Sequence, residues 1–200
     1  MNESPRSWVL PEEPVPVRLM GTIWADTDGL HDDLDTPFGL AAWMDAVGIQ
    51  HSDTLASPEE LAEARALRDS IRCLAAHQTD DTRPAAVSRA DVAWSVDVVN
   101  AAAARLPAAQ LRIENNAFRR ATPNPAAVLA ALAGVATEAV DLFGGTDADK
   151  LRACQAPGCV LYFVKTHPRR EWCSIACGNR ARAARHYHRR RQATAKPRTN

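Results

Sequence analysis

The chain has 200 residues, of which 46% are hydrophobic and 24% charged, and its formal net charge is zero. These proportions, with 9 glycines and 13 prolines, are typical of a globular protein and exclude a collagen-like repeat or disorder throughout. Because no run of about 18 apolar residues is present and residues 1–17 hold acids and prolines, we expect no membrane span, no secretory signal and a cytoplasmic location.

The first element predicted in chain order is a strand at residues 17–24, where apolar and polar residues partly alternate. A polar loop follows at residues 26–35. Its acidic and imidazole side chains could bind a hard cation, but they lack the spacing of an EF-hand, so a solvated loop is expected. The side chains concerned are Asp26, Asp28, His31, Asp32, Asp33 and Asp35.

Two capped helices come next. Thr36 and Pro37 predict the N-cap and first turn of one helix, and Gly48 predicts its end. The face predicted to be buried contains Phe38, Ala41, Met44 and Val47. Ser57 and Glu60 form a capping box that begins the other helix. Its apolar residues recur at helical spacing, which predicts a buried stripe of Leu61, Ala64, Leu67, Ile71 and Leu74.

Two further helices are predicted, one at residues 88–106 and one that opens at Asn124 and ends at Gly144. The inward residues of the first are Val92, Val96, Val99, Ala103 and Leu106, and those of the second are Val128, Leu132, Val135, Ala139 and Leu142. Residues 110–120 alternate in polarity, which predicts a strand or hairpin arm. Trp43 and Trp94 are predicted to lie in the core. Residues 1–150, the body, thus read as mainly helical, with no recognisable catalytic signature.

Four of the five cysteines occur in residues 154–177, as two local pairs separated by thirteen residues. Structural zinc sites usually take four tetrahedral ligands from two such pairs. The predicted ligands are Cys154, Cys159, Cys173 and Cys177, with two disulfides as the alternative. His167 and His188 are spare candidates that four thiolates do not need. A closed site of this kind leaves no position for a reacting water, so one structural Zn²⁺ per chain is expected.

The segment between the cysteine pairs predicts how they meet. Pro157 and Gly158 permit a tight turn, and residues 160–164 have the branched and aromatic composition of a strand. A return strand at residues 170–172 would bring Cys173 back to the turn, and Ser174 is a plausible helix N-cap. A turn, a hairpin and the start of a helix in this order predict a treble-clef-like zinc finger at residues 151–191, which is called the finger below.

Charge divides unevenly between the two parts. Residues 1–150 hold 12 basic and 23 acidic residues, whereas residues 151–200 hold 12 basic residues and one acid, Glu171. Such asymmetry suggests that the basic end meets a polyanion. Helical spacing after Cys177 places Arg182, Arg185, His186 and Arg189 on one face, and Cys177, Ala181, Ala184 and His188 on the inward face. Residues 192–200 are expected to be a disordered basic tail.

The stretch Cys173-Ser174-Ile175-Ala176-Cys177-Gly178-Asn179-Arg180 resembles the CGNR zinc finger family, and Phe163, Arg170 and Trp172 fit the same pattern. The resemblance implies a bacterial DNA-binding transcription regulator with zinc held by the four cysteines. It makes Asn179 and Arg180 contact candidates, with Arg182 and Arg185 beside them. It also implies a mostly helical ABATE-type domain in front, described as a stress-induced transcription regulator, and residues 17–145 are compatible with one in length and order.

The functional hypothesis is a DNA-binding finger attached to a helical body that senses an unknown effector or forms a homodimer. The predicted nucleic-acid contacts are Asn179, Arg180, Arg182, Arg185 and Arg189. One alternative is a ligand- or protein-interaction module whose basic helix docks on the acidic body. Another is an RNA-binding protein, because Tyr162, Phe163 and Tyr187 could stack on bases. Catalysis is not expected, since no nucleophile, base and orienting group occur together.

Overall fold

The computed structural model describes residues 10, 12–52, 54–83, 91–121 and 128–194. Within these residues the chain forms six α-helices, a 3₁₀ turn at Ala148–Lys150 and three separate antiparallel two-stranded sheets. The helices are α1 (Val15–Met20), α2 (Pro37–Val47), α3 (Pro58–Gln78), α4 (Val92–Ala103), α5 (Val128–Gly144) and α6 (Ile175–Thr194). The strands are β1 (Ile23–Ala25), β2 (Leu30–Asp32), β3 (Gln110–Glu114), β4 (Ala117–Ala121), β5 (Leu151–Ala153) and β6 (Tyr162–Val164). The predicted mainly helical architecture is confirmed.

The strand predicted at residues 17–24 is wrong over most of its length. Residues 15–20 form α1, which starts with Pro14 as N-cap and Pro16 in its first turn. A fixed proline φ suits the start of a helix. All of Pro16 to Met20 is buried, so the helix has no polar face whose period could distinguish it from a strand. Only residues 23–25 form a strand, and it pairs with β2, which lies inside the predicted loop.

Helices α2 and α3 have the predicted caps. The Thr36 hydroxyl accepts a hydrogen bond from Gly39 N, and Gly48 ends α2 with φ 75°. Ser57 and Glu60 form the predicted capping box, and the predicted stripe of α3 is buried, with Leu74 partly so. The face of α2 is different from the prediction, because Leu40, Trp43 and Met44 are buried while Phe38 is 70% exposed. Met44 is buried as predicted and Val47 is partly buried, so the prediction is wrong mainly at Phe38, because apolar residues occur on both faces of the helix.

Helix α4 begins at the N-cap Asp91, and Ser88, the predicted start, lies outside the described residues. Its buried residues are Ser95 and Val99, whereas Val96 and the nearby Leu106 are exposed. Trp94 is 51% exposed, so its predicted place in the core is wrong, while Trp43 is fully buried as expected. The predicted inward residues of α5 are all buried. Asn124, the predicted start of that helix, is outside the described residues.

A single apolar core joins the body to the first part of the finger. Helix α3 packs against α1, α4 and α5, and the β5–β6 hairpin packs against α3 and α1. Leu151, Ala153, Tyr162 and Val164 therefore belong to the same buried cluster as the body helices. A second, smaller cluster surrounds the cysteines and includes Phe163. No helix in the described part of the chain is long and apolar enough to cross a membrane.

Candidate zinc centre and basic helix

The first cysteine pair lies inside the β5–β6 hairpin. Leu151 pairs with Val164 and Ala153 with Tyr162, so residues 154–159 form the turn region that joins two paired strands. Gly158 takes φ 73°, a conformation that favours glycine, and Cys159 N donates to Ala156 O at 2.9 Å. The predicted return strand at residues 170–172 is wrong, because these residues form no strand and β6 pairs with β5. Residues 165–174 instead form turns that lead to α6.

Four thiols meet at the end of this hairpin. The sulfur atoms of Cys154, Cys159, Cys173 and Cys177 all lie within 4.8 Å of one another, and all four residues are buried. Sγ of Cys173 is 3.8 Å from that of Cys159 and 3.4 Å from that of Cys177. A tetrahedral Zn²⁺ with bonds of about 2.3 Å separates its thiolates by about 3.8 Å. None of the cysteines forms a disulfide, so the alternative of two disulfides is wrong.

The four buried thiols perturb one another's ionisation. Hydrogen bonds from Cys154, Cys159 and Cys173 hold the pKa of Cys177 below its ordinary value, while the same crowding raises the pKa of Cys173. The pKa of Cys154 is lowered to about 7 by hydrogen bonds from Cys159 and Cys173. Four thiolates cannot be charged together in this buried space without a cation to neutralise them. The donor set and its spacing fit one structural zinc ion with no open coordination position.

The turn of the first cysteine pair is fastened to the body by Arg83. Its Nη1 donates to the carbonyl oxygens of Cys154 and Cys159, both at 2.5 Å. The other edge of the guanidinium makes two 2.7 Å hydrogen bonds to the buried carboxylate of Asp81. Oδ2 of Asp81 also accepts a 2.9 Å hydrogen bond from the Tyr162 hydroxyl. The segment that follows α3 thus fixes both the zinc turn and strand β6.

A second ion pair holds the segment between the cysteine pairs. Arg170 lies 2.5 Å from the buried carboxylate of Glu13, which also accepts a hydrogen bond from Val164 N. Burial raises the pKa of Glu13, although the Val164 amide and Arg170 act in the opposite direction. Arg170 also donates to the carbonyls of Val164 and Cys173 and lies over the ring of Phe163. The buried carboxylate of Glu13 is therefore paired with a guanidinium and with a backbone amide, both from the finger.

Helix α6 begins between the two cysteines of the second pair, so Cys173 precedes the helix and Cys177 lies in its first turn. The predicted N-cap is confirmed, because Cys177 N donates to the Ser174 hydroxyl at 3.2 Å. Gly178 is buried in the first turns, and a Cβ there would lie 3.1 Å from Cδ1 of Trp172. Helical glycine costs about 1 kcal/mol relative to alanine. Trp172 occupies the space that a side chain at position 178 would need, which accounts for a glycine here.

The predicted nucleic-acid contacts fall into two groups. Nη2 of Arg180 donates to Sγ of Cys177 at 3.0 Å, so this guanidinium supports the zinc site itself. Arg182 donates to the side chain of Asn179 at 2.6 Å, and both are exposed. Arg185 and Arg189 are exposed further along the helix. Arg182, Arg185 and Arg189, called the arginine stripe below, lie on one face, as the spacing predicts.

The inward face of α6 is shorter than predicted. Ala181 is buried and Ala184 partly so, but His188 is exposed, and residues 185–192 are exposed throughout. The helix continues to Thr194, three residues into the predicted disordered tail, and residues 195–200 lie outside the described part. The second half of α6 therefore projects away from the finger.

The acidic loop of the body is used for internal contacts. Oδ1 of Asp26 accepts hydrogen bonds from Asp28 N and His31 Nε2, and the ring of His31 stacks on Trp24. The carboxylate of Asp32 forms a salt bridge with Arg68. Among the described residues, the cysteine cluster is the group arranged to hold a metal ion.

Comparison with protein families decides where the chain belongs. The family model ABATE, described as "Putative stress-induced transcription regulator", matches residues 13–146. The chain belongs to the ABATE family. A second model, the CGNR zinc finger, matches residues 150–190, which include the four clustered cysteines. No curated protein matches the chain. The resemblance drawn from the residues around Cys173 is confirmed.

Sequence reasoning missed the residues that join the ABATE body to the CGNR finger. Arg83 and Asp81 lie more than 70 residues before the carbonyls and hydroxyl that they contact. No local spacing signals such contacts. Arg169 and Arg170 carry a weak signal, because two adjacent arginines occupy the segment between the cysteine pairs. With Trp172 and Arg182 they line a cleft of about 350 Å³ beside the start of α6.

Proposed function

We propose that the protein is a zinc-dependent, DNA-binding transcription regulator of the cytoplasm. The finger binds duplex DNA through α6, and the body senses an effector or assembles copies of the chain. The single observation that carries this proposal is the exposed arginine stripe on a helix anchored at its start by the zinc site. The protein is proposed to have no catalytic activity of its own, because a closed four-thiolate site supplies no water to activate.

The stripe has the properties of a phosphate-binding surface. Arg185 is three positions after Arg182 and Arg189 is four positions after Arg185, so neighbouring arginines are about 4.5 and 6 Å apart along the helix axis. Arginine forms bidentate hydrogen bonds with phosphates and with the guanine edge. Asn179 is held beside Arg182 at the zinc end of the stripe, where a base or backbone contact is proposed for it. Arg180 is proposed to act mainly through the zinc site.

Internal charge pairing does not use these arginines. The salt bridges from arginines to carboxylates near the finger involve Arg170 and Arg83. Among the described residues, no carboxylate forms an ion pair with Arg182, Arg185 or Arg189. Docking of the basic helix on the acidic body would require such pairs. The cationic face of α6 is therefore available to an external polyanion.

Binding of labelled genomic duplex fragments to the zinc-loaded protein over a salt series tests the proposal. The affinity of wild type should fall steeply with salt, because arginine binding releases counterions from the DNA. Arg185→Ala should weaken binding to all sequences similarly and reduce the salt slope by about one. Cys173→Ser should abolish binding. Arg105→Ala, which removes an exposed arginine of the body, is the matched control and should leave the slope unchanged.

Three outcomes would contradict the proposal. An unchanged affinity and slope in Arg185→Ala would remove the stripe from the interface. Stronger competition by single-stranded RNA than by duplex DNA would identify an RNA-binding protein. Salt-independent or absent binding of every nucleic acid by the zinc-loaded protein would leave the finger as a protein- or ligand-interaction module.

A further inference from the structure

The β3–β4 hairpin, residues 110–121, is an amphipathic element with an uncovered apolar face. Its register pairs Ile113 with Phe118 and Leu111 with Arg120, so these four side chains share one face. Leu111, Ile113 and Phe118 are 72%, 71% and 73% exposed. The opposite face carries Arg112, Glu114 and Arg119. Asn115 and Asn116 form the turn with positive φ, which matches the twist of a two-residue hairpin.

Such a hairpin needs a covering surface. An isolated two-stranded hairpin is at best marginally stable in water, and three or more strands or a packed helix are usually required. All described residues of β3 and nearly all of β4 are exposed, so the body of the same chain does not provide that cover. Three large apolar side chains on one face of an uncovered sheet are typical of a protein contact.

Helix α4 presents a second uncovered surface on the same body. Trp94 is 51% and Val96 41% exposed at the two edges of this surface, about 160° apart around the helix, and Ala93, Ala101, Asn100 and Asp97 lie between them. Asp97, on the same exposed arc, is the only charged residue between Val92 and Ala103. Leu106, which follows α4 in the chain, is 46% exposed.

We propose that two copies of the chain dimerise by exchange of this hairpin, so that the apolar face of β3–β4 in one copy packs on the exposed face of α4 in the other. The homodimer is one of the two roles proposed for the body above, and this inference assigns its surface. It rests on the body alone and not on the finger or on DNA.

Charge complementarity supports a second copy as the occupant. The only charged side chain on the apolar face of the hairpin is Arg120, and the only one on the exposed arc of α4 is Asp97. Arg120 lies two residues from Phe118 along a strand, about 7 Å, and Asp97 lies one helical turn from Trp94, about 5–6 Å. An aromatic contact and an ion pair can therefore form side by side. The hairpin also carries three arginines against one acid, opposite in sign to the acidic body that it would meet.

Two-fold symmetry doubles the contact between the hairpin and the helix. Each copy offers one face of residues 110–121 and the exposed arc of the 12-residue helix α4. In a two-fold dimer the hairpin-to-helix contact occurs twice, because each copy offers both surfaces. Exchange of the two hairpins thus buries both exposed surfaces of both copies at once.

Sedimentation of the full-length, zinc-loaded protein without nucleic acid, over a wide concentration range, tests the dimer. Wild type should be dimeric, and Phe118→Asp should weaken dimerisation at least tenfold, because it places a charge in the apolar contact. Phe38→Asp is the matched control, since Phe38 is 70% exposed on a different helix, α2, which packs on α1 and α3. It should dimerise like wild type. Zinc content and the far-ultraviolet circular dichroism of each variant verify that it is folded.

Charge reversal tests the specific pairing. Asp97→Arg and Arg120→Asp should each weaken dimerisation, and the double variant should restore it to within about threefold of wild type. A monomeric wild type, or a Phe118→Asp protein that dimerises like wild type, overturns the proposal. A hairpin variant that remains dimeric but binds DNA more weakly would assign the hairpin to DNA instead. Because dimerisation is measured without DNA, its failure is distinct from failure of the DNA-binding proposal.

Discussion

The hydroxyl of Tyr162 donates a 2.9 Å hydrogen bond to Oδ2 of Asp81, which joins a strand of the finger to the segment that follows α3. Both residues are buried. Burial raises the pKa of Tyr162, so the tyrosine remains a neutral donor at physiological pH. Burial opposes ionisation of Asp81, but hydrogen bonds from Arg83 and Tyr162 outweigh it and lower the pKa of Asp81. The ionised carboxylate is therefore the form that the fold selects.

Removal of this contact should destabilise the whole chain. Tyr162→Phe should lower the free energy of unfolding by about 1 kcal/mol, and Asp81→Asn by about 2–3 kcal/mol, because the latter also removes the partner of Arg83. Urea unfolding of the zinc-loaded proteins measures both. Asp147→Asn, at an exposed ion pair with Lys150, is the control and should have little effect. Equal effects at Asp81 and Asp147 would contradict the assignment.

The contribution of Asp81 should depend on pH in a defined direction. A carboxyl group whose pKa is lowered by folding stabilises the protein above its unfolded pKa, near 3.8, and loses this effect as the pH falls through the folded pKa. The stability difference between wild type and Asp81→Asn should therefore be constant near neutral pH and shrink in acid. A difference that grows as the pH falls would contradict the lowered pKa.

Arg180→Ala should weaken zinc binding. Groups that hydrogen-bond to metal ligands typically affect metal affinity by about 10- to 100-fold, and Arg180 offsets the negative charge on Sγ of Cys177. Competition with a zinc chelator measures the affinity. Arg182→Ala is the matched control, because Arg182 contacts Asn179 and not a sulfur atom. The same zinc affinity in both variants would show that the contact with Cys177 has no energetic role.

Removal of zinc should unfold part of the finger and leave the rest in place. Residues 154–161 and the start of α6 depend on the four thiolates, whereas Leu151, Tyr162 and Val164 pack in the core of the body. Hydrogen exchange after chelation should therefore rise in the first group and remain slow in β5 and β6. Equal loss of protection across the finger would mean that the hairpin also needs the metal.

Alanine substitutions at two helical glycines should have opposite effects on the stability of the protein. Gly134 lies in the middle of α5, and a Cβ added there would have no neighbouring atom within 4 Å, so Gly134→Ala should stabilise the protein by up to about 1 kcal/mol. Gly178→Ala places its Cβ 3.1 Å from Trp172, so crowding should offset the gain in helix propensity and destabilise the finger. Thermal unfolding measures both. Stabilisation by Gly178→Ala would mean that Trp172 moves aside without cost.

The sequence predicted the zinc ligands because their chemistry is local. Two cysteine pairs, a glycine turn and a serine cap each depend on neighbours within a few residues. The contacts of Arg83 could not be predicted, since they join the segment that follows α3 to a turn 71 residues away. The prediction that Trp94 lies in the core is wrong, because the presence of an apolar residue on a helix does not show whether another element packs on it. The same limit explains Phe38, since α2 has two apolar faces and only packing selects one.

The β5–β6 hairpin packs both in the core of the body and beside the zinc site, so the finger is not an independent structural module. The family matches divide the chain near residue 150, but Leu151 and Tyr162, beyond that point, fill the interior of the helical body. A fusion protein that contained residues 150–190 alone would expose to solvent the side of the β5–β6 hairpin that the body helices bury. An exchange of either part of this chain would have to preserve the contacts between body and finger at this boundary.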